Sequence, residues 1–125
     1  MATAIDKSTE FDGRGYPDLR DHLRALEEAD LLYTIDEPVN KDTELMPLVR
    51  WQFRGGIPEA RRKAFLFTNI TNSQGRSYDL PMVVGAMAAT PAIYGIGMGV
   101  PVDKIGDHWK QALAAPIPPV EVTDA

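Results

Sequence analysis

Hydrophobic positions along this chain change period several times, and each change marks an element. Leu19, Leu23 and Leu26 recur at helical spacing, with Arg20, Arg24, Glu27 and Glu28 on the opposite face. Asp18, following Pro17, is placed to cap that helix, and Asp21 brings negative charge to the positive end of its dipole. The next stretch, "LLYTIDEPV" at 31–39, alternates instead: Tyr33 and Ile35 fall on one face, Leu32 and Thr34 on the other. That predicts a strand ended by Pro38. A second helix is expected over about 43–54, stopped by Gly55 and Gly56. It accommodates Pro47 only if its first turn starts at Thr43 or Glu44, where the opening N–H groups have no helical partner.

"KAFLFTNI" at 63–70 has the strongest strand composition in the chain, and "NSQG" at 72–75 is turn chemistry, with Asn72 and Gly75 suited to positive φ. "PMVVGAM" at 81–87 predicts a buried strand. A last helix, from Pro101 or Asp103 to Ala114, carries Ile105, Trp109, Ala112 and Leu113 on its apolar face. The order helix, strand, helix, strand, strand, helix, helix predicts an α/β fold, with a small mixed sheet of about three strands packed against about four helices. Residues 1–16 are polar and without period, and read as a mobile lead-in to a domain over 17–114.

The segment "TPAIYGIGMGVP" at 90–101 raises a chemical question, because glycines at 95, 97 and 99 resemble a phosphate-binding loop. Such a loop needs the order strand, glycine-rich turn, helix N-terminus, so that free N–H groups face the anion. Here Thr90 is a good N-cap, Pro91 a good first residue, and Gly99 with Val100 and Pro101 a good terminus. The glycines therefore sit toward the carbonyl end of a short helix. They read as a smooth packing stripe, with Ala92, Gly95 and Gly99 expected to approach a sheet closely. A helix-interior glycine costs about 1 kcal/mol relative to alanine, so a packing return is expected.

Composition narrows the function classes. The 125 residues carry 13 basic and 18 acidic side chains, a net charge of −5, which argues against nucleic acid as the main partner. The basic run "ARRK" at 60–63 reads as a solvated strand edge. With no cysteine, thiolate zinc sites, disulfides and cysteine nucleophiles are excluded. The short apolar runs predict neither a signal peptide nor a membrane span, and a cytoplasmic protein is the expectation. His22 and His108 are the only imidazoles. Each adjoins an aspartate, Asp21 or Asp107, in a pair that diverges around its helix, so both histidines are expected to be exposed and structural. Glu27 with Glu28, and Asp36 with Glu37, read as ordinary surface charges. No spacing places a nucleophile beside a base and an orienting group, so no catalytic, cofactor-binding or metal residue is assigned.

The blocks "DLRDHLRALEEADLLYTIDEPVN", "ELMPLVRWQFRGG", "AFLFTNI" and "YDLPMVVGAMAATPAIYGIGMGVP", in that order, resemble the N-terminal domain of UbiD-type decarboxylases, the relatives of 3-polyprenyl-4-hydroxybenzoate and ferulate decarboxylase. The resemblance covers residues 17–120. It implies a carboxy-lyase acting on unsaturated or aromatic acids through prenylated FMN, manganese and potassium, all held by later domains. It assigns no catalytic residue to this chain. It also implies that "APIPPVEVTDA" at 115–125 is a proline-rich connector toward a flavin-binding domain or partner chain, and it leaves room for a homo-oligomer. The readings that follow are an N-terminal or truncated part of such a decarboxylase, a small non-catalytic subunit, or a stand-alone interaction module.

Overall fold

The computed structural model describes residues 18–122; the expected lead-in over 1–16 and the last three connector residues lie outside them. Helix α1 spans Leu19–Glu28. Its cap is the expected one: Asp18 is extended, and its carboxylate accepts from the amides of Arg20 at 2.6 Å and Asp21 at 3.2 Å. The helix ends where Asp30 takes φ 56°, a left-handed conformation unusual for a side chain other than Gly or Asn. That reversal returns the Leu31 amide to the Leu26 carbonyl at 2.7 Å and starts the first strand.

Strands β1 (Leu32–Ile35) and β2 (Val39–Asn40) precede helix α2 (Leu45–Arg54). Then come β3 (Ala64–Phe67), β4 (Ile70–Thr71), β5 (Ser77–Tyr78), β6 (Met82–Val84), α3 (Pro91–Met98) and α4 (Ile105–Ala114). Each of the two longest expected strands is thus broken in two, and the single expected sheet is two small mixed sheets, ordered β1-β3-β6 and β2-β4-β5. In both, the first pair is parallel and the second antiparallel. β1 therefore stops before Pro38, not at it, and β2 begins directly after. Proline has no N–H to donate and cannot sit in the ladder. The gap is stitched by Thr68 N–H to the Ile35 carbonyl and Val39 N–H to the Asn69 carbonyl, both 3.0 Å.

The larger sheet is covered on both faces. Tyr33 and Ile35 stand opposite Phe65 and Phe67, as the alternation predicts. Phe65 and Phe67 meet Val49 and Leu45 of α2, with Val39 and Ile70, in one buried cluster, while Tyr33 stays exposed. On the other face Ala64 joins Leu26 of α1, Ile93 of α3, Ala86 and Ala89. Gln52 locks α2 to the start of β3: its amide accepts from the Lys63 N–H and donates to the Lys63 carbonyl, each at 2.8 Å. Pro47 falls in the first turn of α2, where it is tolerated.

Helix α3 has the expected ends. The Thr90 hydroxyl accepts from the Ile93 amide at 3.2 Å, Pro91 opens the helix, and Gly99 closes it at φ 66°. Gly99 N–H meets the Ile96 carbonyl and Val100 N–H the Gly95 carbonyl, which is the Schellman pattern. The glycines serve a different approach from the one expected. Gly97 lies against the His22 ring of α1, and Gly95 against the chain's own return at Val100 and Val102, rather than against a sheet.

Two glycines consequently behave oppositely. A Cβ at Gly95 would sit 2.8 Å from the Val100 carbonyl oxygen, whereas one at Gly106 in α4 meets nothing within 4 Å. Gly95→Ala is expected to destabilise the fold by about 1–3 kcal/mol despite its better helix propensity. Gly106→Ala should stabilise by up to about 1 kcal/mol. Urea unfolding midpoints check both.

Candidate functional site

The polar residues singled out in the sequence do not converge. His22 is a correction: it is buried, and its Nε2–H donates to the Ala86 carbonyl at 2.6 Å, tying α1 to the segment after β6. A carbonyl can only accept, so that nitrogen carries the proton. The helical pattern hides this because a histidine one position before Leu23 reads as boundary, and the distant Ala86 and Gly97 that meet its ring are not visible in it. Asp21 diverges from it as expected, toward Arg24 on its own helix. His108 is exposed, and Asp107 pairs with Lys110 at 3.6 Å. Glu27, Glu28, Asp36 and Glu37 are exposed.

The basic run at 60–63 is only partly a solvated edge. Arg61 is exposed, but Arg62 donates to the Ile57 carbonyl at 3.2 Å and lies 5.3 Å over the Phe53 ring. Lys63 reaches the Asp30 carboxylate and stands 4.8 Å over the Tyr33 ring. These contacts brace the entry to β3.

A polar knot with no signature in the residue pattern sits at the corner before α2. The Glu44 carboxylate accepts from the Asn40 amide at 2.8 Å, and the Asn40 side chain accepts from the Asp42 amide at 2.9 Å. Asp42 binds Lys41 through one oxygen and, at 3.0 Å, the Ser73 amide through the other. The turn that supplies Ser73 has Gly75 at φ 79°, as expected, but Asn72 is not left-handed; its side chain accepts from the amides of Gln74 and Arg76 instead. Hydrogen bonding to Lys41 and then to Ser73 holds the Asp42 carboxyl below its ordinary 3.8. The bond to Asp42 raises Lys41 above 10.5. The chemistry is that of a clasp between the α2 corner and the β4–β5 turn.

Among the described residues no three histidine, aspartate or glutamate side chains gather as a metal site. The amides of Gly99 and Val100 are committed to carbonyls of α3, so the glycine stretch does not fit a phosphate either. What the surface offers is apolar area. The outer side of α2 exposes Met46, Leu48, Trp51 and Phe53. Met46, Trp51 and Phe53, with Val84 and the side chains of Arg50 and Arg54, line a groove of about 760 Å³. Leu19, Leu80 and Met87 form a second exposed area near β6. Helix α4 is the extreme case. No residue in it is buried; Ile105 is half-buried, while Trp109 and Leu113 of the expected apolar face are exposed. Trp109 is held to α3 by its indole N–H, which donates to the Tyr94 hydroxyl at 2.8 Å. Exposed apolar area of this kind is characteristic of interaction surfaces and ligand grooves.

The 3-octaprenyl-4-hydroxybenzoate carboxy-lyase N-terminal domain model matches residues 23–113, well over half of the chain. The chain belongs to the UbiD N-terminal family. No solved structure matches it. The UbiD N-terminal match runs from α1 through α4, so both hydrophobic clusters, the polar knot and the exposed faces of α2 and α4 all lie inside the family region. No helix of the described UbiD N-terminal domain is long and apolar enough to cross a membrane.

The clasp has a pH signature. Asp42, lowered, contributes stability above the ordinary 3.8 that is lost as pH falls through its folded value; Lys41, raised, contributes below 10.5 and loses it as pH rises past its folded value. Carboxyl NMR should place the Asp42 midpoint below 3.8, and Lys41→Met should return it toward that value. An Asp42 midpoint that ignores the substitution contradicts the clasp.

Proposed function

We propose that this chain serves as the N-terminal domain of a UbiD-like decarboxylase and contributes structure rather than chemistry to it. The observation that carries this reading is the uncovered apolar face of α4 inside a region that matches the carboxy-lyase N-terminal domain. A self-contained domain has no reason to leave Trp109 and Leu113 in water; a domain seated on a larger body does.

In that arrangement α4, with the Leu19, Leu80 and Met87 area, faces the catalytic body. The body takes an unsaturated or aromatic carboxylic acid, with prenylated FMN, manganese and potassium as its cofactors. The part of residues 18–122 is to brace that body and cover a wall of it. We place the assembly in the cytoplasm. The same faces would serve a covalently continuous body or a separate partner chain, and the experiment below tells these apart.

An antibody to the domain should recover it from its source cells as part of a heavier flavin-containing polypeptide, or together with one. Recovery alone, at its own 125-residue mass, overturns the proposal. The purified 125-residue chain should show no stoichiometric flavin absorbance and no manganese binding by calorimetry. Stoichiometric flavin in that preparation would contradict a purely structural role and return attention to the segment from Thr90 to Pro101.

A further inference from the structure

Helix α2 turns Met46, Arg50 and Arg54 to solvent in one row, at four-residue spacing. Two guanidiniums at that spacing repel each other, and among the described residues neither stands in an ion pair. Phe53 and, from β6, Val84 line the same groove, and no carboxylate does. The groove therefore suits an occupant that brings two carboxylates to the arginine row and an apolar side chain to the other wall.

The sequence ahead of α1 carries that pattern. At 8–13 it reads "STEFDG", with Glu10 and Asp12 flanking Phe11. An extended chain turns alternate side chains to opposite sides, so the two acids share one side and Phe11 takes the other. Two extended residues advance about 6.6 Å and four helical residues about 6 Å, so Ser8, Glu10 and Asp12 keep register with Met46, Arg50 and Arg54. The segment also enters from the right end. Asp18 opens α1, and the next residue, Leu19, lines a shallow cavity together with Phe53 of α2 and Val83 of β6. From Asp18 back to Asp12 is six residues, a reach of up to about 20 Å, which exceeds the roughly 15 Å length of α2.

We infer that the α2 groove seats residues 8–12 of its own chain as a strap, with Glu10 paired to Arg50, Asp12 to Arg54, and Phe11 packed toward Phe53 and Val84. The strap closes the α2 face from within and leaves α4 as the apolar face open to a larger body. The seat belongs to this chain alone, so it stands or falls apart from the decarboxylase reading. The chain has no cysteine, so an introduced pair reports the seat directly. Under mild oxidation Ser8→Cys with Met46→Cys should form a disulfide at the mass of one chain. Its rate should exceed that of Ser8→Cys with Gln111→Cys, on exposed α4, by about tenfold or more. Adding Glu10→Lys with Asp12→Lys should slow it about tenfold, and adding Arg50→Glu with Arg54→Glu to those four changes should restore most of the rate. Glu10 and Asp12 belong to neither buried cluster, so their variant keeps the fold even where an α2 variant does not. A rate no faster than the Gln111→Cys control overturns the inference, as does one indifferent to Glu10→Lys with Asp12→Lys. A disulfide at the mass of two chains overturns it in favour of a segment supplied by another copy.

Discussion

A central strand keeps its ladder only when both edges are paired and both faces are covered, and in this domain that strand is β3. Its edges are taken by β1, parallel, and β6, antiparallel. Phe65 and Phe67 fill the space under α2, while Ala64 is small enough to let α1 and α3 close over the opposite face. The entrance is held by Gln52, whose amide satisfies both main-chain groups of Lys63. Those groups are part-buried, and leaving them unmet would cost up to about 1–3 kcal/mol. The positions of α1, α2 and α3 follow from covering this one strand.

What is left over defines the functional surface. α1 and α3 spend Leu26 and Ile93 on the core, while Leu19 at the start of α1 stays exposed. α2 divides its side chains between a buried row, Leu45, Val49 and Gln52, and an exposed row that includes Trp51. Among the described residues α4 buries none of its own side chains, and Trp109 is tied to α3 by a hydrogen bond to Tyr94. Membership of the UbiD N-terminal family gives these exposed faces their context in a carboxy-lyase family.

Elements governed by local chemistry were legible in advance. The caps at Asp18 and Thr90, the stop at Gly99 and the tolerated Pro47 depend on backbone groups within a few residues of the side chain concerned, so their geometry is written into adjacent positions. The face alternation of Tyr33 and Ile35 was legible because a two-residue period admits one arrangement once a face is buried. The candidate surface was half legible: the apolar face of α4 could be read from its spacing, but not that it would stay uncovered.

By itself the sequence determined the cap residues, the four helices and their order, the absence of thiol chemistry and the family. Only the tertiary structure decided that the long strand runs break around Pro38, that Asp30 turns left-handed to start β1, and that Lys41, Asp42 and Ser73 meet across 31 residues of chain. It also decided that His22 is sealed by Gly97. The reason is common to all of these. Each depends on which distant segment arrives alongside, and periodicity records the face a residue turns inward without recording what will be waiting there.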